Sequence, residues 1–195
     1  MALLNAALLP FQLFNDVVLR IGRGIAIVAI ALMVLAILIQ VFFRYVLNSA
    51  LPWPDEAARF AMLWMTGLIA PMAYRRGGFV AIDMALRALP ERVAAILSLA
   101  LLFIAGAVLV LAIDIGWGEI NGFLSRAKTA SLYYITLDLE WAKVPRRWMM
   151  ASFFVGVVLL FIVNIELILR ALITLLGGGA TLKELAPPED ELMAE

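Results

Sequence analysis

The chain has 195 residues, 65% of them hydrophobic, with a mean hydropathy of +1.03. Fifteen basic residues balance fifteen acidic ones, so nothing in the charge points to nucleic acid as a partner. There is no Cys and no His, which excludes disulfides, Cys-ligated zinc or iron–sulfur clusters, His-ligated haem and Ser–His–Asp catalysis within this chain.

A soluble domain of this length cannot cover so much apolar surface. Four apolar stretches hold most of it, and the charges gather at their ends. Ile25–Phe43 and Val93–Ile113 contain no Asp, Glu, Lys or Arg, while Ala57–Tyr74 and Trp148–Leu169 contain only Arg59 and Glu166. About 20 such residues cross the ~30 Å hydrocarbon core as a helix, which satisfies its own backbone hydrogen bonds. The expected fold is an all-α integral membrane protein. Four transmembrane helices, at about 17–46, 55–75, 91–118 and 146–174, with short interfacial helices, make one membrane domain over residues 1–176. Residues 177–195 form an acidic cytoplasmic tail around Pro187-Pro188-Glu189-Asp190-Glu191.

In chain order, Met1–Asp16 lacks the basic start of a signal peptide. It reads either as an interfacial segment broken near Pro10 or as a frayed terminus. Helix 1 is longer than a perpendicular span needs, and Gln40 and Arg44 fall one turn apart near its far end. Asn48–Pro54 interrupts the helix, with Trp53 between two prolines as an interfacial anchor. Helix 2 opens on Pro54-Asp55-Glu56, as a helix N-terminus favours, and stops at Arg75-Arg76-Gly77-Gly78. Pro71 is expected to kink it. Phe79–Leu89 reads as a connector or short interfacial helix, and Ser125–Lys143 as an interface-hugging loop or short helix before helix 4.

With the N-terminus inside, Arg20, Arg23, Arg75, Arg76, Arg87, Arg92, Arg170 and Lys183 lie on the inner side, against Arg126, Lys128, Lys143, Arg146 and Arg147 in outer loops. That eight-to-five ratio favours both termini in the cytoplasm.

No catalytic motif stands out, and the glycine clusters lack the Lys-Ser/Thr of a phosphate-binding loop. Asp114, Glu119 and Glu166 read as solvated or interfacial carboxylates near helix ends, and no carboxylate inside a span has an evident partner. Arg44, Asp55, Glu56 and Arg59 meet across the first turn, where they read as ion pairs locking helix 1 to helix 2 or as a surface for a partner protein.

One stretch carries a more specific pattern. Phe43-Arg44-Tyr45-Val46 is followed by Asn48-Ser49, Leu51-Pro52-Trp53 and Asp55-Glu56 with Arg59; Trp64, Arg75-Arg76-Gly77-Gly78 and Ile82-Asp83 complete the series. This ordered set resembles the small membrane subunit (Q subunit) of the tripartite ATP-independent periplasmic, or TRAP, transporters. The resemblance implies a non-enzymatic scaffold without cofactors, in the bacterial inner membrane. Its partners would be the large TRAP membrane subunit, a periplasmic substrate-binding protein met transiently, and the lipid bilayer. The activity implied is sodium-coupled uptake of an organic acid. Candidate interface or helix-locking residues are Arg44, Trp53, Asp55, Glu56, Arg59, Trp64, Arg75, Arg76 and Asp83. The competing reading is an autonomous small transporter or homo-oligomeric channel, for which the span centres offer little polar pathway.

Overall fold

The computed structural model describes residues 2–77, 90–122, 127–135, 141–178 and 185. Four helices dominate: α1 (Ala2–Tyr45), α2 (Trp53–Arg75), α3 (Glu91–Asn121) and α4 (Arg147–Leu175). Between α3 and α4 lies a hairpin of β1 (Lys128–Ile135) and β2 (Trp141–Pro145). Helices α1, α3 and α4 are long and apolar enough to cross a membrane. The connector Phe79–Leu89 and the acidic tail after Gly178, Leu185 apart, fall outside the described residues.

Helix α1 is one continuous 44-residue helix, not an interfacial segment broken near Pro10. At ~1.5 Å per residue it is about 66 Å long, roughly twice the hydrocarbon thickness. Proline costs a helix one hydrogen bond, and at Pro10 that loss falls within three turns of the helix start. Asn48, with φ +49°, closes the turn into α2 where Ser49 N–H reaches the Phe43 carbonyl; Asn is among the few side-chain-bearing residues that tolerate this conformation. Helix α2 carries its proline and both carboxylates in the first turn and ends on Gly77 at φ +80°, so both of its ends follow sequence expectation.

The hairpin corrects the expectation that Ser125–Lys143 is a loop or short helix, while the other described elements are helices, as an all-α fold class requires. Tyr133, Tyr134 and Ile135 face Lys143, Ala142 and Trp141 across an antiparallel ladder, in a segment rich in β-branched and aromatic residues. The Thr129 hydroxyl donates to the Val144 carbonyl at 2.9 Å, and Lys143 Nζ sits 5.6 Å above the Tyr133 ring. A cross-strand cation–aromatic pair is worth well under the energy of a core contact, so the hairpin depends on packing against α2 and α4.

The helices form a row. Helix α1 packs on α2, α2 on α4 and α4 on α3, and α1 also reaches α4. Ala26, Leu68 and Leu159 form the core from three helices, joined by Val18, Trp64, Met65, Ile69 and Val155. The outward faces are apolar: Leu38, Ile104 and Leu111 are each at least 60% exposed, the reverse of a soluble bundle.

Gly67 and Gly156 set the α2–α4 distance. A Cβ on Gly67 would lie 2.5 Å from the Ser152 carbonyl oxygen, and one on Gly156 would lie 2.8 Å from the Gly67 backbone. Pro71 bears on the same spot. It has no N–H for the Gly67 carbonyl four residues back, and that oxygen faces Gly156. Such close backbone approach lets small residues hold apolar helices together where lipid supplies no hydrophobic drive.

Asn164 is fully buried and ties three helices. It accepts from the Tyr74 hydroxyl of α2 at 2.6 Å, and its amide donates to the Leu102 carbonyl of α3 at 3.1 Å. Asn164→Leu should therefore lower stability by about 1–3 kcal/mol, because the Tyr74 hydroxyl and the Leu102 carbonyl both lose a partner. The unfolding midpoint in detergent measures it, and no change would show that neither bond matters.

Candidate functional site

Two polar sites lie at opposite ends of the long axes of α1 and α2. At the α1–α2 turn, Arg44, Trp53, Asp55 and Arg59 are exposed. Gln40 Nε2 approaches Asp55 Oδ2 at 3.5 Å, a long hydrogen bond, and the Arg44 guanidinium lies 5.9 Å from its neighbour's Tyr45 ring. Among the described residues no ion pair joins Arg44 or Arg59 to Asp55. Glu56 sits in the first turn of α2, half-buried. Trp64 packs into the core beside Phe60, with its indole N–H buried and without a hydrogen-bond partner. Asp83 lies outside the described residues. Arg44, Asp55 and Arg59 thus present their charge outward, and among the described residues no salt bridge joins these three across the turn.

At the other end the ion pairs are internal. The Glu166 side chain is completely buried, contrary to the expectation of a solvated or interfacial carboxylate without a partner. Arg75, the last residue of α2, grips it with two donors: Nε to Oε2 and Nη2 to Oε1, both at 2.8 Å. Arg170, one turn along α4, donates to Oε1 at 3.1 Å, and the Asn15 amide of α1 donates to Oε2 at 2.6 Å. Arg75 also donates from Nη1 to Asp16. Two carboxylates and two guanidinia make the junction formally neutral.

This arrangement follows from helical geometry. Residues 166 and 170 share one face of α4. Arg75 stands at the end of α2 next to them. Helix α1 runs antiparallel to α4, so its early residues Asn15 and Asp16 reach the same level. A buried carboxylate is tolerable only when its lone pairs are filled and its charge balanced, and Glu166 has both. Each Glu166 carboxylate oxygen accepts two of these hydrogen bonds. Among the described residues no cluster suited to a metal ion occurs.

Sequence reading singled out Arg75 and Arg76 but passed over Asn15, Asp16, Asn164, Glu166 and Arg170 as site residues. The available signal was their rarity. Polar side chains at 164, 166 and 170 interrupt an apolar helix, and intramembrane ionisable groups usually face one another.

No curated protein and no solved structure matches the chain. A family model does: that of the DctQ component of the tripartite ATP-independent periplasmic transporters, over residues 33–174. The match takes in the α1–α2 turn, Arg75 and the three polar residues of α4, and begins after Asn15 and Asp16. Together with three long apolar helices and the motif series around α2, it places this chain in the DctQ family, as a TRAP-transporter small membrane subunit.

Proposed function

We propose that the chain is a static scaffold for a larger TRAP membrane subunit. In this reading it supports sodium-coupled uptake of an organic acid handed over by a periplasmic binding protein. The observation that carries the reading is the closed junction around Glu166. A moving or ion-carrying site needs groups that exchange partners, whereas here each buried charge is held by geometry that would be costly to break. The apolar outer faces of α1 and α3 supply surface for lipid and for a partner's helices.

The reading includes four crossings of the bacterial inner membrane with both termini cytoplasmic. Helix α2 is 23 residues, about 34 Å long, and lies between α1 and α4, which supports counting it as a span. The inner end is then the Glu166 junction and the outer end carries the hairpin and the α1–α2 turn.

Purification of the chain in mild detergent tests the proposal. A stoichiometric, much larger membrane protein should accompany it, and the chain alone in liposomes should give no substrate flux. Flux from the isolated chain would replace this reading with that of an autonomous transporter. Arg44→Ala and Arg59→Ala should change the fold by less than about 1 kcal/mol, since both side chains are exposed. Their expected effect is weaker co-purification of the large subunit with unchanged substrate selectivity in the intact complex. Altered selectivity in an intact complex would contradict a purely supporting role.

A further inference from the structure

We infer that the cleft beside the Glu166 junction binds the phosphate group of an anionic phospholipid. The cleft has a volume of about 220 Å³ and is lined by Asp16, Leu19, Arg20, Arg23, Met72, Arg75, Arg76 and Leu185. Four arginines therefore face one carboxylate, and that carboxylate is engaged by Arg75. Arg75 in turn donates from Nε and Nη2 to Glu166. Arg20, Arg23 and Arg76 are exposed, and among the described residues none of them has an ion pair. Three guanidinium groups without ion pairs among the described residues thus surround a concave space whose one described carboxylate, Asp16, is engaged by Arg75.

The position fits a headgroup. Arg23 lies two residues and Arg20 five residues before the charge-free run Ile25–Phe43, and Arg75-Arg76 follow the apolar part of α2. The ring of charge therefore lies where the charge-free run of α1 and the apolar part of α2 end, a level suited to lipid phosphates. Arg20 and Arg23 are three residues apart on α1, so they share a helical face directed at the end of α2. Leu19 and Met72 give the cleft apolar walls. A water occupies ~30 Å³ of liquid, so the cleft has room for a phosphate with its ester oxygens. Guanidinium forks match phosphate oxyanions in shape as well as charge, and basic recesses between helices at a membrane surface are suited to acidic headgroups. The shared chemistry is a phosphate oxyanion, whose source is either lipid or solution; the location at the end of the charge-free run of α1 favours lipid.

The inference rests on the chain being a membrane protein and is independent of whether it acts as a scaffold. The full chain, purified in detergent, would be titrated with phosphatidylglycerol and with phosphatidylcholine under native mass spectrometry, and separately with inorganic phosphate in a thermal-unfolding assay. Wild type should retain phosphatidylglycerol at roughly tenfold lower concentration than phosphatidylcholine. The Arg20→Gln, Arg23→Gln, Arg76→Gln triple variant should lose that preference while keeping its lipid-free unfolding midpoint. Arg146→Gln with Arg147→Gln, at the opposite end, should keep the preference. A preference that survives the triple variant, or none in wild type, overturns the proposal. Stabilisation of wild type but not the triple variant by inorganic phosphate, without any lipid preference, assigns the oxyanion to solution and overturns the lipid source.

Discussion

Glu166→Gln is expected to lower stability by about 3–5 kcal/mol, visible as a fall of roughly 10 °C in the unfolding midpoint of the purified chain. The substitution keeps the shape of the side chain and removes its charge. Arg75 retains Asp16, but Arg170 loses its described ion-pair partner while remaining 90% covered. The penalty is thus mainly the loss of a buried anion shared by two guanidinium groups, not of one missing hydrogen bond. That origin makes a second result predictable: Glu166→Gln combined with Arg170→Gln should recover part of the loss, because it restores neutrality around Arg75. Strictly additive losses, or a single variant within about 2 °C of wild type, would mean that the junction is wet and its charges are screened.

The second large effect is steric. Gly67→Val should separate α2 from α4, because the new Cβ meets the Ser152 carbonyl and not a movable side chain. Overpacking of this kind costs about 1–3 kcal/mol even where neighbours can shift, and backbone at both sides places Gly67 at the top of that range or above it. Gly24→Val is the control, since a Cβ there meets nothing. Loss of a monodisperse species for Gly67→Val and none for Gly24→Val is the expected pattern. Equal behaviour of the two would show that the α2–α4 crossing can widen without cost.

The ends of α2 were readable because local chemistry decides them: proline and carboxylates at the start, arginine and glycine at the stop. The hairpin was not, since Lys128–Pro145 mixes polar and aromatic residues without a clean alternation, and its pairing is irregular between Lys128 and Tyr133. The Glu166 junction was hidden for a different reason. Asn15, Arg75 and Glu166 are far apart in the chain, and each alone sits near an apparent helix end, where solvation is the simplest expectation. Only the side-by-side order of α1, α2 and α4 brings them to one level. The family resemblance, by contrast, lay in a contiguous stretch of short motifs, which is the kind of signal a linear reading captures.

The row of helices also has a consequence for the order in which the protein is made. Helix α3 packs on α4 and is tied to it through Asn164, whereas α1 and α2 pack on each other. During synthesis α1 and α2 can pair as soon as both have been made. Helix α3 emerges next, yet its main companion is still more than two dozen residues away in the chain. It must wait in lipid as a solitary helix, which its uninterrupted apolar surface allows. Arrival of α4 then fixes three things at once: α3, the hairpin and the Glu166 junction. A chain halted before Arg147 should therefore hold its α1–α2 pair and leave α3 loose, so that quality-control proteases see an unfinished protein until its last span is in place.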